Sequence, residues 1–166
     1  MRGFVDLQVN GHRGVDCTDA DLDEAKVVDL VRALVTDGTA ILLPTLITAA
    51  PTIYERNLPI LARAIADPAI AAHVPGLHLE GPFLSPEDGA RGAHDGALMR
   101  DGDPALLDRY LDLAQGRIRM LTVAAERPGN LALIRHAVNL GITVALGHQL
   151  ATADDLARAA DAGATC

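Results

Sequence analysis

Five polar side chains that could take part in catalysis or metal binding stand at the ends of predicted strands: Gln8, Asn10, Glu80, Glu126 and His148. In parallel α/β folds the chemistry is carried out at the carboxyl ends of the strands. A carboxylate and a histidine from neighbouring strand ends suit a divalent metal such as zinc. Each residue could instead be a hydrogen-bonded residue at the entrance of a loop, and spacing alone leaves both explanations open.

The segment GLHLEGPFLSPEDGARGAH contains Glu80 and a further histidine, His94. It begins as an apolar strand, ends that strand on Glu80 and turns at Gly81 and Pro82. A polar, glycine-rich loop follows and finishes on His94. Gln8 and Asn10 are two residues apart on the first strand, so they point to the same face. His12 and Arg13, which come next, could select a phosphate or lie in a solvated loop.

Strands and helices alternate five times along the chain. The predicted strands are 3–10, 39–48, 75–81, 118–126 and 143–149, and the predicted helices are 21–38, 51–66, 103–115, 130–141 and 152–163. Residues 164–166 resemble the start of a sixth strand. Such alternation predicts a parallel sheet with helices outside it. It does not separate an open doubly wound sheet from a (β/α)₈ barrel, although no G-x-G-x-x-G fingerprint follows the first strand.

Two of these helices carry clear signals at their ends and faces. In the first helix we expect Asp21 to cap the start and Gly38 to close the end. Its predicted buried face comprises Leu22, Ala25, Val28, Val31, Leu34 and Val35. In the last helix, Thr152 is the expected cap and Gly163 the expected stop.

Composition excludes several classes of function. The 166 residues carry a formal net charge of −8, which argues against nucleic acid or an anionic membrane as a partner. No apolar run approaches the roughly 18 residues that span a bilayer, and the first residues do not form a signal peptide. The two cysteines, Cys17 and Cys166, are expected to be reduced thiols of a cytoplasmic protein.

Five segments, in this order and at suitable separations, carry a family resemblance: DLQVNG, GLHLEGPFL, GARGAH, TVAAE and GHQLAT. Together they resemble the N-acetylglucosamine-6-phosphate deacetylases of the amidohydrolase superfamily. The resemblance implies a (β/α)₈ TIM barrel of the metal-dependent hydrolase type, of which residues 1–166 form one partial domain with about the first five β/α units. It also implies hydrolysis of N-acetylglucosamine 6-phosphate to glucosamine 6-phosphate and acetate, with one divalent metal ion, most simply zinc.

The resemblance implies a role for each matching residue. Glu80 and His148 match metal ligands. His94 matches a catalytic histidine that reaches the substrate and polarises its amide carbonyl. Gly81 lets the substrate approach closely. Glu126 is expected to be structural or to support the residues that bind the metal.

Gln8 and Asn10 occupy the place of the superfamily's H-x-H pair and are expected to contact the substrate. Because amide side chains are poor zinc ligands, we expect one metal ion rather than two. A third metal ligand and the general base are expected outside this chain. We therefore expect little deacetylase activity from these 166 residues alone, and either homo-oligomerisation or pairing with a missing C-terminal half.

Two further hypotheses remain open at this point. The protein could be an amidohydrolase that acts on another N-acyl sugar or on an N-acyl amino acid. It could also be a non-catalytic half-barrel relict or assembly module. Zinc binding separates the last hypothesis from the others, because a relict has no need to hold a metal.

Overall fold

The computed structural model describes residues 3–166 of the chain. Their strands are β1 (Phe4–Val9), β2 (Gly11–His12), β3 (Val15–Asp16), β4 (Thr39–Ile47), β5 (Leu77–Glu80), β6 (Ile118–Val123) and β7 (Thr143–Leu146). Their α-helices are α1 (Glu24–Thr36), α2 (Pro51–Ala64), α3 (Pro104–Leu113), α4 (Asn130–Asn139) and α5 (Ala153–Asp161). The predicted alternation of five longer strands with five helices is therefore present.

The longer strands follow one another in the sheet in chain order, β1-β4-β5-β6-β7. β1 pairs with β4 in parallel, and β6 pairs with β7 in parallel through an unbroken register from Met120↔Thr143 to Val123↔Leu146. Contact clustering divides the chain into two compact units. The prediction of one partial barrel domain over residues 1–166 stays a prediction.

Unit 1 comprises the described residues up to Leu46 together with Ala50–His78 and Tyr110–Ile118. Its core is aliphatic, with one stacked aromatic pair, Tyr54 and Tyr110, whose ring centroids are 4.4 Å apart. Asn57 is fully buried and donates hydrogen bonds from Nδ2 to the carbonyl oxygens of Cys17 and Asp19. These bonds satisfy loop carbonyls that burial removes from water.

Unit 2 comprises Ile47–Ala49, Leu79–Arg109 and Arg119–Cys166. Asn130, at the start of α4, donates from Nδ2 to the carbonyl oxygens of Phe83 and Ala124, which ties the loop after β5 to the end of β6. At the chain's last residues, Thr165 N donates to Val144 O at 3.0 Å and Leu146 N donates to Cys166 O at 2.8 Å. Residues 165 and 166 thus lie beside β7, as expected for the start of a sixth strand.

The predicted start of α1 is wrong, and its predicted buried face is right only in part, since Leu22 and Val31 are buried. The N-cap is Asp23, whose side chain accepts from Lys26 N, whereas the Asp21 carboxylate pairs with Lys26 Nζ at 2.7 Å. The buried residues of the helix are Val27, Leu30 and Val31. Ala25 is exposed and Val28 only half-buried. Apolar residues occupy more than one arc of this helix, so packing against the rest of unit 1 decides which arc is buried.

The predicted stop of α1 and the predicted signals in α2 and α5 are confirmed. Thr152 and Asp155 form a reciprocal capping box at the start of α5. Gly38 and Gly163 follow the ends of α1 and α5 with φ of 104° and 109°, values that glycine adopts without strain. Pro51 opens α2, as predicted.

Two strands end three residues earlier than predicted. β6 stops at Val123, because Ala124 N turns to the carbonyl of Phe83 at 3.0 Å. β7 stops at Leu146, two residues before His148, whose φ of 50° lies outside the extended region. The hairpin of β2 and β3 was not predicted, and it turns through Arg13 and Gly14, both with positive φ.

The two cysteines differ in environment. Cys17 is fully buried, and its Sγ lies 3.6 Å from Val9 O, to which it donates. Burial raises the pKa of the Cys17 thiol to about 12, so this thiol stays protonated at neutral pH. Cys166 is exposed, and both residues are free thiols.

Candidate metal centre

Glu80 is the last residue of β5, and every residue of that strand is buried. Its side chain is 4 % exposed, so the carboxylate is largely withdrawn from water. A buried carboxylate is stable only with compensating charge or hydrogen bonds around it. The following residue, Gly81, has a φ of 96° and turns the chain out of the strand, leaving Glu80 fixed at the strand end.

His148 stands two residues beyond β7 and faces Glu80. Its Nδ1 lies 3.0 Å from the carbonyl oxygen of Ala90, an acceptor only, so Nδ1 carries the proton and donates. The lone pair of a neutral His148 is then on Nε2, which is 2.9 Å from Glu80 Oε1. Two acceptors at this distance repel each other, and either a metal ion or a proton on Nε2 removes that repulsion. A metal-binding histidine typically donates its other ring N–H to a carboxylate or a backbone carbonyl, as His148 Nδ1 donates to Ala90 here.

His94 has the opposite arrangement of its ring nitrogens. The backbone N–H of Thr48 donates to Nδ1 through a long hydrogen bond of 3.4 Å, so a neutral His94 carries its proton on Nε2. Burial lowers the pKa of His94, charge on His148 lowers it further, and Glu80 opposes both effects. His94 is therefore neutral at pH 7, with an N–H group 3.9 Å from Glu80 Oε1.

The three side chains form a compact group within unit 2. Ring nitrogens of His94 and His148 and a carboxylate oxygen of Glu80 lie within 4.8 Å of one another, and of these Glu80 and His148 have a free electron pair to offer a metal ion. The two imidazole rings meet edge to face, with centroids 4.4 Å apart. A carboxylate with an imidazole nitrogen is a pair of ligands that suits zinc and other first-row divalent ions. The residues present therefore fit a metal ion.

Two glycines let the chain pass close to this group. A β-carbon on Gly81 would lie 2.2 Å from Thr48 Oγ1, closer than any real contact. A β-carbon on Gly92 would lie 3.2 Å from His148 Cε1. Gly92 has a φ of 56° and belongs to the loop that delivers both the Ala90 carbonyl and His94. The GARGAH segment therefore packs directly against the ring of His148.

The remaining predicted site residues lie elsewhere. Gln8 and Asn10 belong to unit 1 and are exposed on either side of the buried Val9. His12 and Arg13, also in unit 1, both pair with Asp37, at 3.0 Å and 2.9 Å. These contacts with Asp37 explain the positions of the His12 and Arg13 side chains without a bound substrate. Glu126 accepts from Leu150 N at 2.8 Å.

Sequence reasoning missed Thr48. It follows β4 directly, so the rule that polar residues at strand ends form the site could have found it. Its side chain is 6 % exposed, and among residues 3–166 its Oγ1 has no hydrogen-bond partner. The Ala90 carbonyl was also missed, because a backbone acceptor leaves no signal in residue type.

Comparisons with known proteins give a consistent result. No protein-family model matches the chain. Human N-acetylglucosamine-6-phosphate deacetylase is 40 % identical over 165 residues, which cover 96 % of this chain and 38 % of the human protein. The Danio rerio deacetylase of the same name is 36 % identical and covers 98 % of this chain and 40 % of its own. An N-acetylgalactosamine-6-phosphate deacetylase of Escherichia coli O157:H7 is 34 % identical over 97 % of this chain and 42 % of its own.

Solved structures agree with these relatives. The crystal structure of N-acetyl-D-glucosamine-6-phosphate deacetylase from Mycobacterium smegmatis matches with a TM-score of 0.88 and 40 % identity, covering 99 % of this chain and 41 % of that chain. A mutant of that deacetylase, in complex with N-acetyl-D-glucosamine-6-phosphate, matches with a TM-score of 0.85 and 42 % identity, with the same coverage. The predicted family resemblance and the predicted partial (β/α)₈ barrel are confirmed.

The chain matches only part of each relative. This chain spans about two fifths of the length of the relatives it matches. Within residues 3–166, no helix is both long and apolar enough to cross a membrane.

Proposed function

We propose that this chain, a homologue of one part of the N-acetylglucosamine-6-phosphate deacetylases, supplies the metal-holding part of the active site of an amide-hydrolysing enzyme. The proposal rests on the 2.9 Å distance between Glu80 Oε1 and His148 Nε2. His148 Nδ1 is not available there, because it donates a hydrogen bond to Ala90 O. This arrangement presents a lone pair and a carboxylate to the same point, where a metal ion can bind.

Glu80 and His148 would hold the ion, and zinc is the ion that we propose for this mixed carboxylate and imidazole set. When bound, such an ion lowers the pKa of water beside it and polarises a carbonyl group. The strand end holds Glu80 rigidly, and the bond to Ala90 fixes the ring of His148. A second metal ion is not expected, because Gln8 and Asn10 offer only weakly binding amide oxygens.

His94 would act on the substrate rather than on the metal. Thr48 N–H occupies Nδ1, so Nε2 has a proton to donate and no lone pair to offer a metal ion. An N–H group aimed at an acyl oxygen stabilises the negative charge that develops there during amide hydrolysis. Low water access strengthens that interaction, and the His94 side chain is only 6 % exposed.

The substrate that we propose is N-acetylglucosamine 6-phosphate, with Gln8, Asn10 and Gly81 as further substrate contacts. The Mycobacterium smegmatis relative with this ligand bound supports that choice. A second candidate is N-acetylgalactosamine 6-phosphate, because a relative with that name is 34 % identical. Acetate release from both sugars, measured side by side, separates the two substrates.

Zinc binding to the purified chain is the direct test. When zinc is titrated into the metal-free chain, we expect about one zinc ion bound per chain, held weakly because the third expected ligand lies outside these 166 residues. Glu80→Ala and His148→Ala should each weaken zinc binding at least 100-fold, because each removes a ligand. Glu87→Ala is the matched control, since Glu87 is an exposed carboxylate in the adjoining loop. A wild-type chain that binds no zinc in this titration would favour the non-catalytic relict or assembly module instead.

A chimera tests the activity. This chain would replace the matching segment of the Mycobacterium smegmatis deacetylase, which it resembles at 40 % identity. We expect the chimera to release acetate from N-acetylglucosamine 6-phosphate, and Glu80→Ala to abolish that release. His94→Ala should lower kcat while leaving zinc content unchanged. A zinc-free His94→Ala chimera would instead identify His94 as a metal ligand.

A further inference from the structure

The backbone of His148 has a conformation that its residue type disfavours. Its φ of 50° lies in the left-handed region, which non-glycine residues seldom occupy and which requires support from surrounding structure. Surrounding contacts must therefore hold His148 in this conformation, in which its Nε2 lies 2.9 Å from Glu80 Oε1.

Two side chains bridge the segment after β6 to the segment after β7. Gln149 Oε1 accepts from Ala125 N at 3.0 Å. Glu126 Oε1 accepts from Leu150 N at 2.8 Å. The two hydrogen bonds run in opposite directions, because each segment contributes one side chain and one backbone N–H. We call this pair of hydrogen bonds the 125–150 brace.

The brace fixes the two residues that follow His148. On the other side of His148, Gly147 N donates to Val123 O at 3.1 Å. The carbonyl of His148 itself accepts from Ser85 N at 3.0 Å. Backbone atoms of β6 and of the loop after β5 therefore secure positions 147 and 148. Positions 149 and 150 depend on the side chains of the brace.

Glu126 occupies this place at an energetic cost. Among residues 3–166, its second carboxylate oxygen, Oε2, is buried and has no hydrogen-bond partner. Leaving a buried acceptor unpaired is unfavourable. A carboxylate that occupies this position despite the cost indicates that its hydrogen bond to Leu150 N does more than close the loop.

We propose that Glu126 and Gln149 are positioning residues that hold His148 in its left-handed conformation and so aim Nε2 at Glu80. This proposal rests on the proposed metal site. It assigns to Gln149 a role that its residue type does not suggest, and it assigns to Glu126 a specific function within the structural role expected from the sequence.

The test uses the full chain and two readouts. In the metal-free chain, NMR detects the His148 Nδ1–H that donates to Ala90, which should be protected from exchange. In the zinc-loaded chain, competition with a chromophoric chelator gives the dissociation constant. Glu126→Ala and Gln149→Ala should each expose the Nδ1–H to exchange and weaken zinc binding about 10- to 100-fold, the usual effect of removing a residue that orients a ligand.

Two kinds of control separate positioning from general stability. Glu126→Gln and Gln149→Glu keep an acceptor oxygen for Leu150 N and Ala125 N, so they should restore both readouts. Asp23→Ala removes one comparable side chain-to-backbone bond, to Lys26 N in unit 1, and should lower the melting temperature without altering zinc affinity. If Glu126→Ala fails to fold, Gln149→Ala decides, because Gln149 is only half-buried.

Each outcome has a defined meaning. Alanine variants that melt at lower temperature but keep wild-type zinc affinity and a protected His148 Nδ1–H would overturn the positioning role. A wild-type chain that binds no zinc would overturn the proposed function. The exchange of the His148 Nδ1–H would still show whether the brace positions His148.

Discussion

Gly81 and Thr48 are packed so closely that a β-carbon on residue 81 would lie 2.2 Å from Thr48 Oγ1. Gly81 also has a φ of 96°, a conformation that side chains disfavour. We expect Gly81→Ala to lower the free energy of unfolding by about 2–5 kcal/mol, from overpacking and backbone strain together. Thr48→Ala in the same chain should recover the overpacking part, about 1–3 kcal/mol. Urea unfolding of the four proteins in this double-mutant cycle measures the coupling, and additive effects would show that the two residues do not clash.

Gly92 and Gly89 offer a matched pair within the loop that carries His94. Both have positive φ, 56° and 87°, but only a β-carbon on Gly92 would approach His148. Each alanine substitution should cost about 1–2 kcal/mol of stability through backbone strain. Gly92→Ala alone should also weaken zinc binding about 10-fold or more, because it pushes on the ring of a ligand. Equal zinc affinity in the two variants would contradict the packing of Gly92 against His148.

The stability of the metal-free chain should depend on pH through His94. Burial holds the pKa of His94 below its ordinary value of 6.5. Between that lowered pKa and 6.5, the unfolded chain binds more protons than the folded chain, so stability rises with pH and is lost as pH falls below about 6.5. His94→Gln should flatten this dependence in urea unfolding measured between about pH 5 and pH 8. Parallel curves for the two proteins would show that His94 is not buried in neutral form.

The edge strand β1 should make the chain associate with a second copy of itself. Phe4, Val5 and Leu7 are 77 %, 61 % and 47 % exposed, and among residues 3–166 β1 has a neighbouring strand on one side only. Unpaired, apolar strand edges favour pairing with another chain. Val5→Lys should reduce association in sedimentation experiments, whereas Leu156→Lys, on an exposed position of α5, should not. A wild-type chain that stays monomeric at every concentration would refute this expectation.

The sequence by itself determined the alternation of strands and helices and the placement of Glu80 at the end of β5. These features follow from hydrophobic periodicity, capping residues and glycine stops, which act over a few neighbouring residues. The same short-range signals predicted the N-cap at Thr152 and the start of a sixth strand at residues 164–166. They also carried the family resemblance, because its motifs are contiguous segments.

Only the tertiary structure decided how the site residues can act. The tautomer of His148 depends on Ala90, 58 residues away, and that of His94 depends on Thr48, 46 residues away. The left-handed backbone of His148 and the buried hydroxyl of Thr48 likewise depend on neighbours that are distant in the chain. A histidine in a sequence specifies an imidazole, but the groups that folding brings to its two nitrogens decide which one donates a proton and which one offers a lone pair.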